Sequence, residues 1–292
     1  MAESDIKEPA GRKGGLVENI IIIGSGPAGM TAGIYAARAG MKPVVLEGLE
    51  AGGQLMQTQH VANYPGFPET VSGSTIITAI RRQAEASGVR FLTDAVEAVD
   101  FTGSIKKLST MMGDTLEAKA VIVATGSGVT KTNLPGEAKY WGRGISACLT
   151  CDGAFYAGRK VVVIGEDPVT QGARNYLTRC GAEVVATVAP WEVASFDGDN
   201  NHLTGVTIKA DGQTIACDGL FLVTARAPQT KFLGDALVLD AAGYVVAEGT
   251  RTSVPRVYAA GDCARPRHKQ AVIAAGDGAL AALEAMADLS RG

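Results

Sequence analysis

"NIIIIGSGPAGMTAGIYAARAG", residues 19–40, decides how this chain is read. Ile20–Ile23 is a run of β-branched apolar side chains, which suits a strand buried on both faces of a parallel sheet. "GSGPAG" follows, with glycines at 24, 26 and 29, and then an alanine-rich helix pattern to Arg38. In such a unit Gly24 makes the tight turn, Gly26 lets the backbone approach a pyrophosphate, and Gly29 lets helix and strand pack closely. The phosphate sits on the helix N-terminus. A second strand, "KPVVLEG", runs to Glu47, 23 residues after Gly24. An acid near that spacing accepts a ribose hydroxyl. Strand, turn, helix and acid in register predict a dinucleotide site.

A second stretch has the same layout and different residues. "VVVIGEDPVTQGARNYL", 161–177, reads as strand, turn and helix, but Glu166, Asp167 and Pro168 follow Gly165. Asp167 then Pro168 is a helix start, an N-cap and a first helical position. Further on, "VIVATGS" (121–127) is a buried strand running into small residues. "VPRVYAAGDC" (254–263) is a late strand ending at Gly261-Asp262, and the helix pattern "QAVIAAGDGALAALEAMADL" follows closely. Asp262 either caps that helix, binds a ribityl hydroxyl, or does both. "HLTGVTIKADGQTIACDGLFLV" (202–223) reads as strands joined by a hairpin turn at Asp211-Gly212.

The whole chain bounds the choice of class. Its 292 residues leave room for about two domains. A 46% hydrophobic composition supplies a sizeable core of Val, Ile, Leu and Ala. A net charge of -3 argues against a nucleic-acid binder, which would carry a basic stripe. No apolar run reaches the roughly 18 residues of a membrane helix, so no membrane partner is expected. "MAESDIKEPAGRKGG", residues 1–15, lacks the apolar centre of a signal peptide and reads as a mobile tail on a cytoplasmic protein.

Of five cysteines, only Cys148 and Cys151 are close together. A C-x-x-C pair in a reducing compartment is a disulfide that opens and closes reversibly, or half a zinc site. Zinc needs further ligands, and Cys180, Cys217 and Cys263 are isolated while the only histidines are 60, 202 and 268. No metal is therefore expected, and the three lone cysteines read as small apolar residues.

Five stretches now stand together: "GSGPAG", "GGQLMQTQHVANYPG" (52–66), "ATG" (124–126), "CLTCDGAFY" (148–156) and "VYAAGDCARPRHKQA" (257–271). Their order resembles that of low-molecular-weight thioredoxin reductases, from about Asn19 onward. The resemblance implies an α/β fold of two Rossmann-like three-layer domains. An FAD domain would be discontinuous, made of 16–126 and 247–292. A NADPH-domain-like insert at 127–246 would carry the redox disulfide, and the protein would be a homodimer.

The same resemblance places residues. Gly24, Ser25, Gly26, Pro27, Ala28 and Glu47 would hold FAD at its pyrophosphate and ribose. Gly53, Gln54, Leu55 and Asn63 would join them from the "GGQL…NYPG" stretch, and Thr125 and Gly126 from "ATG". Asp262, Lys269, Gln270 and Ala271 would meet FAD at its flavin end. Cys151 would be the sulfur nearer the flavin and Cys148 the one that meets thioredoxin. Asp152 would move a proton to or from a departing thiolate; its plain alternative is a turn cap.

The chain departs from the family in its second strand–turn–helix. Glu166 and Asp167 bring carboxylates where glycines would admit a pyrophosphate. Val188-Ala189-Pro190 stands where the family carries His-Arg-Arg for the 2′-phosphate of NADPH, and no Lys or Arg occurs between Arg179 and Lys209. These residues predict that NADPH is excluded, and the departure resembles a ferredoxin-dependent branch of the family, which implies that ferredoxin supplies the electrons. The result is then a ferredoxin-dependent flavin thioredoxin reductase, a branch of the family that this departure resembles. The alternatives are an ordinary NADPH-dependent reductase, a flavin or diflavin dithiol oxidase in which Trp191 stacks on a second ring, and a non-catalytic FAD scaffold.

Overall fold

The computed structural model describes residues 16–48, 51–58, 60–129, 132–166, 169–223, 226–265 and 267–291. The expected tail, residues 1–15, and the expected cap Asp167-Pro168 lie outside the described residues. In chain order the strands are β1 Val17–Ile23, β2 Val44–Leu46, β3 Arg90–Leu92, β4 Val96–Asp100, β5 Lys106–Thr110 and β6 Thr115–Val123. Then come β7 Ser127–Val129, β8 Ile145–Ser146, β9 Lys160–Gly165, β10 Glu183–Val188 and β11 Val193–Gly198. β12 Leu203–Ile208, β13 Thr214–Ala216, β14 Gly219–Val223, β15 Arg226–Pro228 and β16 Val257–Ala259 complete them. The helices are α1 Pro27–Arg38, α2 Gly73–Ala86, α3 Glu137–Tyr140, α4 Leu149–Asp152, α5 Val169–Arg179 and α6 Ala271–Ser290.

The chain forms two compact units. One takes the described chain up to Ala51, then Ile80–Gly126, and resumes at Gln229; the other takes Gly52–Ala79 and Ser127–Pro228. The first unit is built on a seven-stranded sheet of order β3-β2-β1-β6-β5-β4, with β16 also on β6. β1 pairs in parallel with β2 and β6, which is why Ile20–Ile23 is buried throughout. β5 and β4 return antiparallel. Helices α1 and α6 meet closely, since a Cβ on Gly278 would come within 2.0 Å of the Ala28 carbonyl oxygen.

The second unit has three layers. A parallel sheet of order β10-β9-β14-β8 lies between α5 and an antiparallel sheet β11-β12-β13. On one face Val161, Val163 and Phe221 pack with Ala173 and Leu177 of α5. On the other, Val162, Ile164 and Leu220 pack with Val193, Phe196 and Val206. The β12–β13 hairpin turns through Gly212 at φ +68°, as the Asp211-Gly212 pattern predicts.

The units differ from the expected partition in two places. The second unit ends at Pro228, short of 246, because Leu233, Leu237 and Val245 are buried in the first unit's core with Ile21 and Val121. Gly52–Ala79 groups with the second unit, and the cut falls inside α2. No described helix is long and apolar enough to cross a membrane.

Candidate functional site

The first unit forms a cradle at the C-terminal ends of β1 and β2. Gly24 sits at φ +110°, and a Cβ there would lie 2.4 Å from the Ala124 carbonyl oxygen, so only glycine fits. Gly29 is held as tightly: its Cβ would strike the Gly24 carbonyl oxygen at 1.8 Å. Gly26 is different. It is the N-cap of α1, no side chain caps it, and nothing lies within 4 Å of where its Cβ would be. Pro27 opens the helix, whose first turn has no acid. The space above the helix N-terminus is therefore open to an anion.

Glu47 follows β2 and is buried. Its carboxylate accepts from Arg81 and from the Thr93 hydroxyl, the latter at 3.1 Å. Arg81 also bonds Glu85 at 2.8 Å and lies over the Phe91 ring. Buried Ser25 donates to the Glu47 carbonyl oxygen at 3.3 Å. The same unit holds Ala28, Thr125, Gly126, Asp262, Lys269, Gln270 and Ala271. Thr125 donates to the Gln229 carbonyl at 2.7 Å, and Lys269 to the Tyr244 hydroxyl at 2.5 Å.

Asp262 does not cap α6. It lies in a short turn, Gly261–Cys263, and the N-cap of α6 is Gln270, eight residues further on. The expected cap role is thereby corrected. Arg265 is tied to Asp277 at 2.5 Å.

Gly53, Gln54 and Leu55 lie in a short turn, Gly53–Gln57, and group with the second unit, as does exposed Asn63. That unit also holds the redox centre. β8 leads through Cys148 into α4, and a disulfide joins Cys148 to Cys151 with 5.3 Å between their Cα atoms. The Ser146 hydroxyl accepts the Cys148 N–H at 3.0 Å and donates to Asp152 Oδ2 at 2.5 Å. Burial raises the proton affinity of Asp152, opposed by the Ser146 hydrogen bond and then by the charge of His60. The His60 ring lies 5.4 Å from that of Phe155. Burial pushes the Tyr156 hydroxyl up to about 12.

The remaining cysteines are placed for packing. Cys217 and Cys263 are buried and Cys180 is half-buried. Burial pushes the Cys217 thiol up to about 12 and the Cys263 thiol up to about 11. Among the described residues no group of His, Cys, Asp and Glu is arranged to hold a metal ion.

The sequence matches the pyridine nucleotide-disulphide oxidoreductase family over residues 18–191 and 169–278. It is 40% identical to a thioredoxin reductase from Streptomyces clavuligerus, covering 92% of this chain and 93% of that protein. The chain belongs to the thioredoxin reductase family.

Another member, the bifunctional thioredoxin reductase/thioredoxin of Mycobacterium leprae, is 35% identical over 92% of this chain and 65% of its own length. The structure is similar to that of thioredoxin reductase from Giardia duodenalis, with a TM-score of 0.84, 34% identity, and 93% and 98% of the two chains covered. The family is a flavoprotein family and its cofactor is FAD. The first unit fits that group: Gly24 and Gly29 admit no side chain, and the α1 N-terminus is open at Gly26.

The second strand–turn–helix is built otherwise. Gly165 closes β9 with no room above it, since a Cβ would lie 2.7 Å from the Val223 carbonyl oxygen. Glu166 is exposed just beyond. After β10 the Glu192 carboxylate accepts the Ala189 N–H at 2.9 Å, and Trp191 is 62% exposed.

Sequence reasoning passed over Ser146 and Arg81. Ser146 stands two residues before Cys148, but its reach to Asp152 depends on the turn through Cys148 into α4. Arg81 meets Glu47 across 34 residues, which no local pattern announces. His60 is inside a quoted motif, yet the sequence gives no sign that its ring packs on Phe155.

Proposed function

We propose that this protein is a flavin-dependent thioredoxin reductase that passes two electrons through the Cys148–Cys151 pair to the disulfide of thioredoxin. The observation that carries the reading is the closed Cys148–Cys151 disulfide with the Asp152 carboxyl held beside it by Ser146. Bound FAD would accept electrons singly or in pairs and deliver two to the disulfide. Gly24, Gly26, Glu47 and Asp262 would hold it, with Thr125 and Gly126 on the neighbouring strand end. Cys148 would attack the partner disulfide and Cys151 would resolve the mixed disulfide. Asp152 would give its proton to the departing sulfur. Thioredoxin as partner is supported by the family and by the relative that carries reductase and thioredoxin functions together. A homodimer is implied by the resemblance alone.

The comparisons favour a pyridine nucleotide as donor over ferredoxin, because the family that fits this chain is the pyridine nucleotide-disulphide oxidoreductases. One local observation favours a second reading with a protein donor such as ferredoxin. Glu166, just after β9, is exposed, and residues 180–208 offer no Lys or Arg to a 2′-phosphate. One anaerobic titration separates the two. NADPH that bleaches the flavin within seconds supports the nucleotide reading; bleaching by reduced ferredoxin alone supports the other. Failure of the reduced protein to form thiols in thioredoxin contradicts both.

A further inference from the structure

Ser146 joins two parts of the redox centre with one hydroxyl. It has a single hydrogen to give, and that hydrogen goes to Asp152 Oδ2 at 2.5 Å while the oxygen accepts the Cys148 N–H at 3.0 Å. A hydroxyl that donates to a carboxylate at this distance makes a charge-assisted bond, about twice as strong as a neutral one. The rotamer is not free to wander. Ser146 is 8% exposed and stands on β8, opposite Phe221 of β14. One backbone atom of the C-x-x-C segment and one carboxyl oxygen of the acid are thereby fixed to the same point of a buried sheet.

A second group acts on the same carboxyl from elsewhere in the chain. His60 comes from the Gly52–Ala79 segment and packs on Phe155, three residues beyond Asp152. Its charge favours ionised Asp152. Tyr156 is a further titratable neighbour, and burial pushes its hydroxyl up to about 12, so it stays neutral throughout the working range. Cys148 and Cys151 add their own charge only when reduced.

We propose that Ser146 is a positioning residue that aims the Asp152 carboxyl at the disulfide and, together with His60, sets the pH at which Asp152 releases its proton. The inference rests on the thioredoxin reductase reading and on Asp152 as the acid. In the step concerned, the Cys148 thiolate attacks one sulfur of the partner disulfide. A Cys148–partner bond forms, the partner S–S bond breaks, and the second partner sulfur leaves as a thiolate that takes the Asp152 proton. The Cys151 thiolate then attacks the Cys148 sulfur, remaking the internal disulfide and releasing the other partner thiolate to a proton from solvent. Two electrons have moved from the cysteine pair to the partner disulfide. Protonated Asp152 is the working form, so the rate falls as pH rises through its pKa.

The sign of each change follows. Ser146 donates to the charged carboxylate, so its removal leaves that form less favoured and raises the pKa. Ser146→Ala should move the alkaline limb of the exchange up by about one pH unit and, with the aim lost, slow the optimum about tenfold. Ser146→Thr keeps a hydroxyl and should return the limb to its wild-type pH. His60→Gln, at an exposed position, should move the limb the same way by less.

The test uses full-length protein reduced anaerobically with dithionite and mixed with excess oxidised thioredoxin between pH 5 and 9, counting the thiols formed in a single turnover. In parallel, the Asp152 carboxyl is titrated by its infrared C=O stretch, with Asp152→Asn identifying the band. A limb and a carboxyl band that move together in Ser146→Ala, and return in Ser146→Thr, bear out the proposal. An unmoved band in Ser146→Ala, or a Thr variant shifted like the Ala variant, overturns it. If Ser146→Ala does not fold, an unmoved band in His60→Gln overturns the shared control of Asp152. If wild-type protein forms no thiols in thioredoxin, the functional reading fails, while the infrared titration still decides whether Ser146 and His60 govern Asp152.

Discussion

Val188 stands opposite Ile164 in the parallel register of β10 and β9, so the residues that follow the two strands emerge side by side. In a Rossmann-like unit this is the edge where a nucleotide lies. Here Glu166 emerges from one strand, and Ala189, Pro190 and Trp191 emerge from the other. Nothing cationic among them can tell a 2′-phosphate from a 2′-hydroxyl.

A nucleotide held at this edge should therefore show no preference for NADPH. Its apparent affinity for NADPH should lie within about threefold of that for NADH, since the missing Arg contacts are worth roughly a kcal/mol or more each. Replacing Ala189 and Pro190 by Arg should favour NADPH over NADH by about tenfold. The dependence of flavin bleaching rate on each nucleotide's concentration measures both.

At the first turn both space and charge decide what the cradle admits. Gly26→Asp should fold, because nothing lies within 4 Å of its Cβ position and Asp is a favoured N-cap. Its carboxylate would occupy the pyrophosphate's place, so the protein should purify colourless. Gly24→Ala should instead lose stability by about 2 kcal/mol or more, since its φ of +110° and the Ala124 oxygen at 2.4 Å both oppose a Cβ. Absorbance near the flavin band and a thermal melt separate the two outcomes.

The order of the two sulfurs gives another outcome. Cys151→Ser should accumulate a mixed disulfide with thioredoxin through Cys148, visible as a higher band on a non-reducing gel. Cys148→Ser should accumulate none. Trapping by the Cys148 variant would exchange the roles.

Helix α6 is fastened to β16 by charge. Asp288 accepts from Arg251 and from the Tyr258 hydroxyl, each at 2.5 Å, and these bonds lower its pKa to about 2. A carboxyl whose folded pKa is depressed stabilises the fold above its unfolded value, near 4, and stops doing so as pH falls toward 2. Asp288→Asn should lower Tm by about 2–4 °C at pH 7 and by nothing measurable near pH 2, if the fold survives there. Equal losses at both pH values would mean that shape, and not charge, is what Asp288 supplies.

The parts of this fold that sequence made legible are those with local causes. Ile20–Ile23, the glycines after it and Glu47 announce one another within about 30 residues, as does the Asp211-Gly212 hairpin. What was not legible depends on distant contacts. Residues 229–246 look like the tail of the inserted domain until Leu233, Leu237 and Val245 are seen in the first core. Asp262 looks like a helix cap because the apolar pattern begins near it, yet α6 starts only at Ala271. Ser146 meets Asp152 only because the chain turns through Cys148 into α4. The cysteine pair itself was plain, since C-x-x-C spacing alone brings two sulfurs within reach.

On the proposed reading, electrons leave this protein through Cys148 and Cys151 to thioredoxin. It is tested most directly by mixing anaerobically reduced, FAD-loaded protein with oxidised thioredoxin and counting thiols. Two new thiols should appear per thioredoxin as the yellow colour returns, and none with the Cys148→Ser protein. Recolouring without thiols in thioredoxin, or thiols formed equally well by Cys148→Ser, would contradict it.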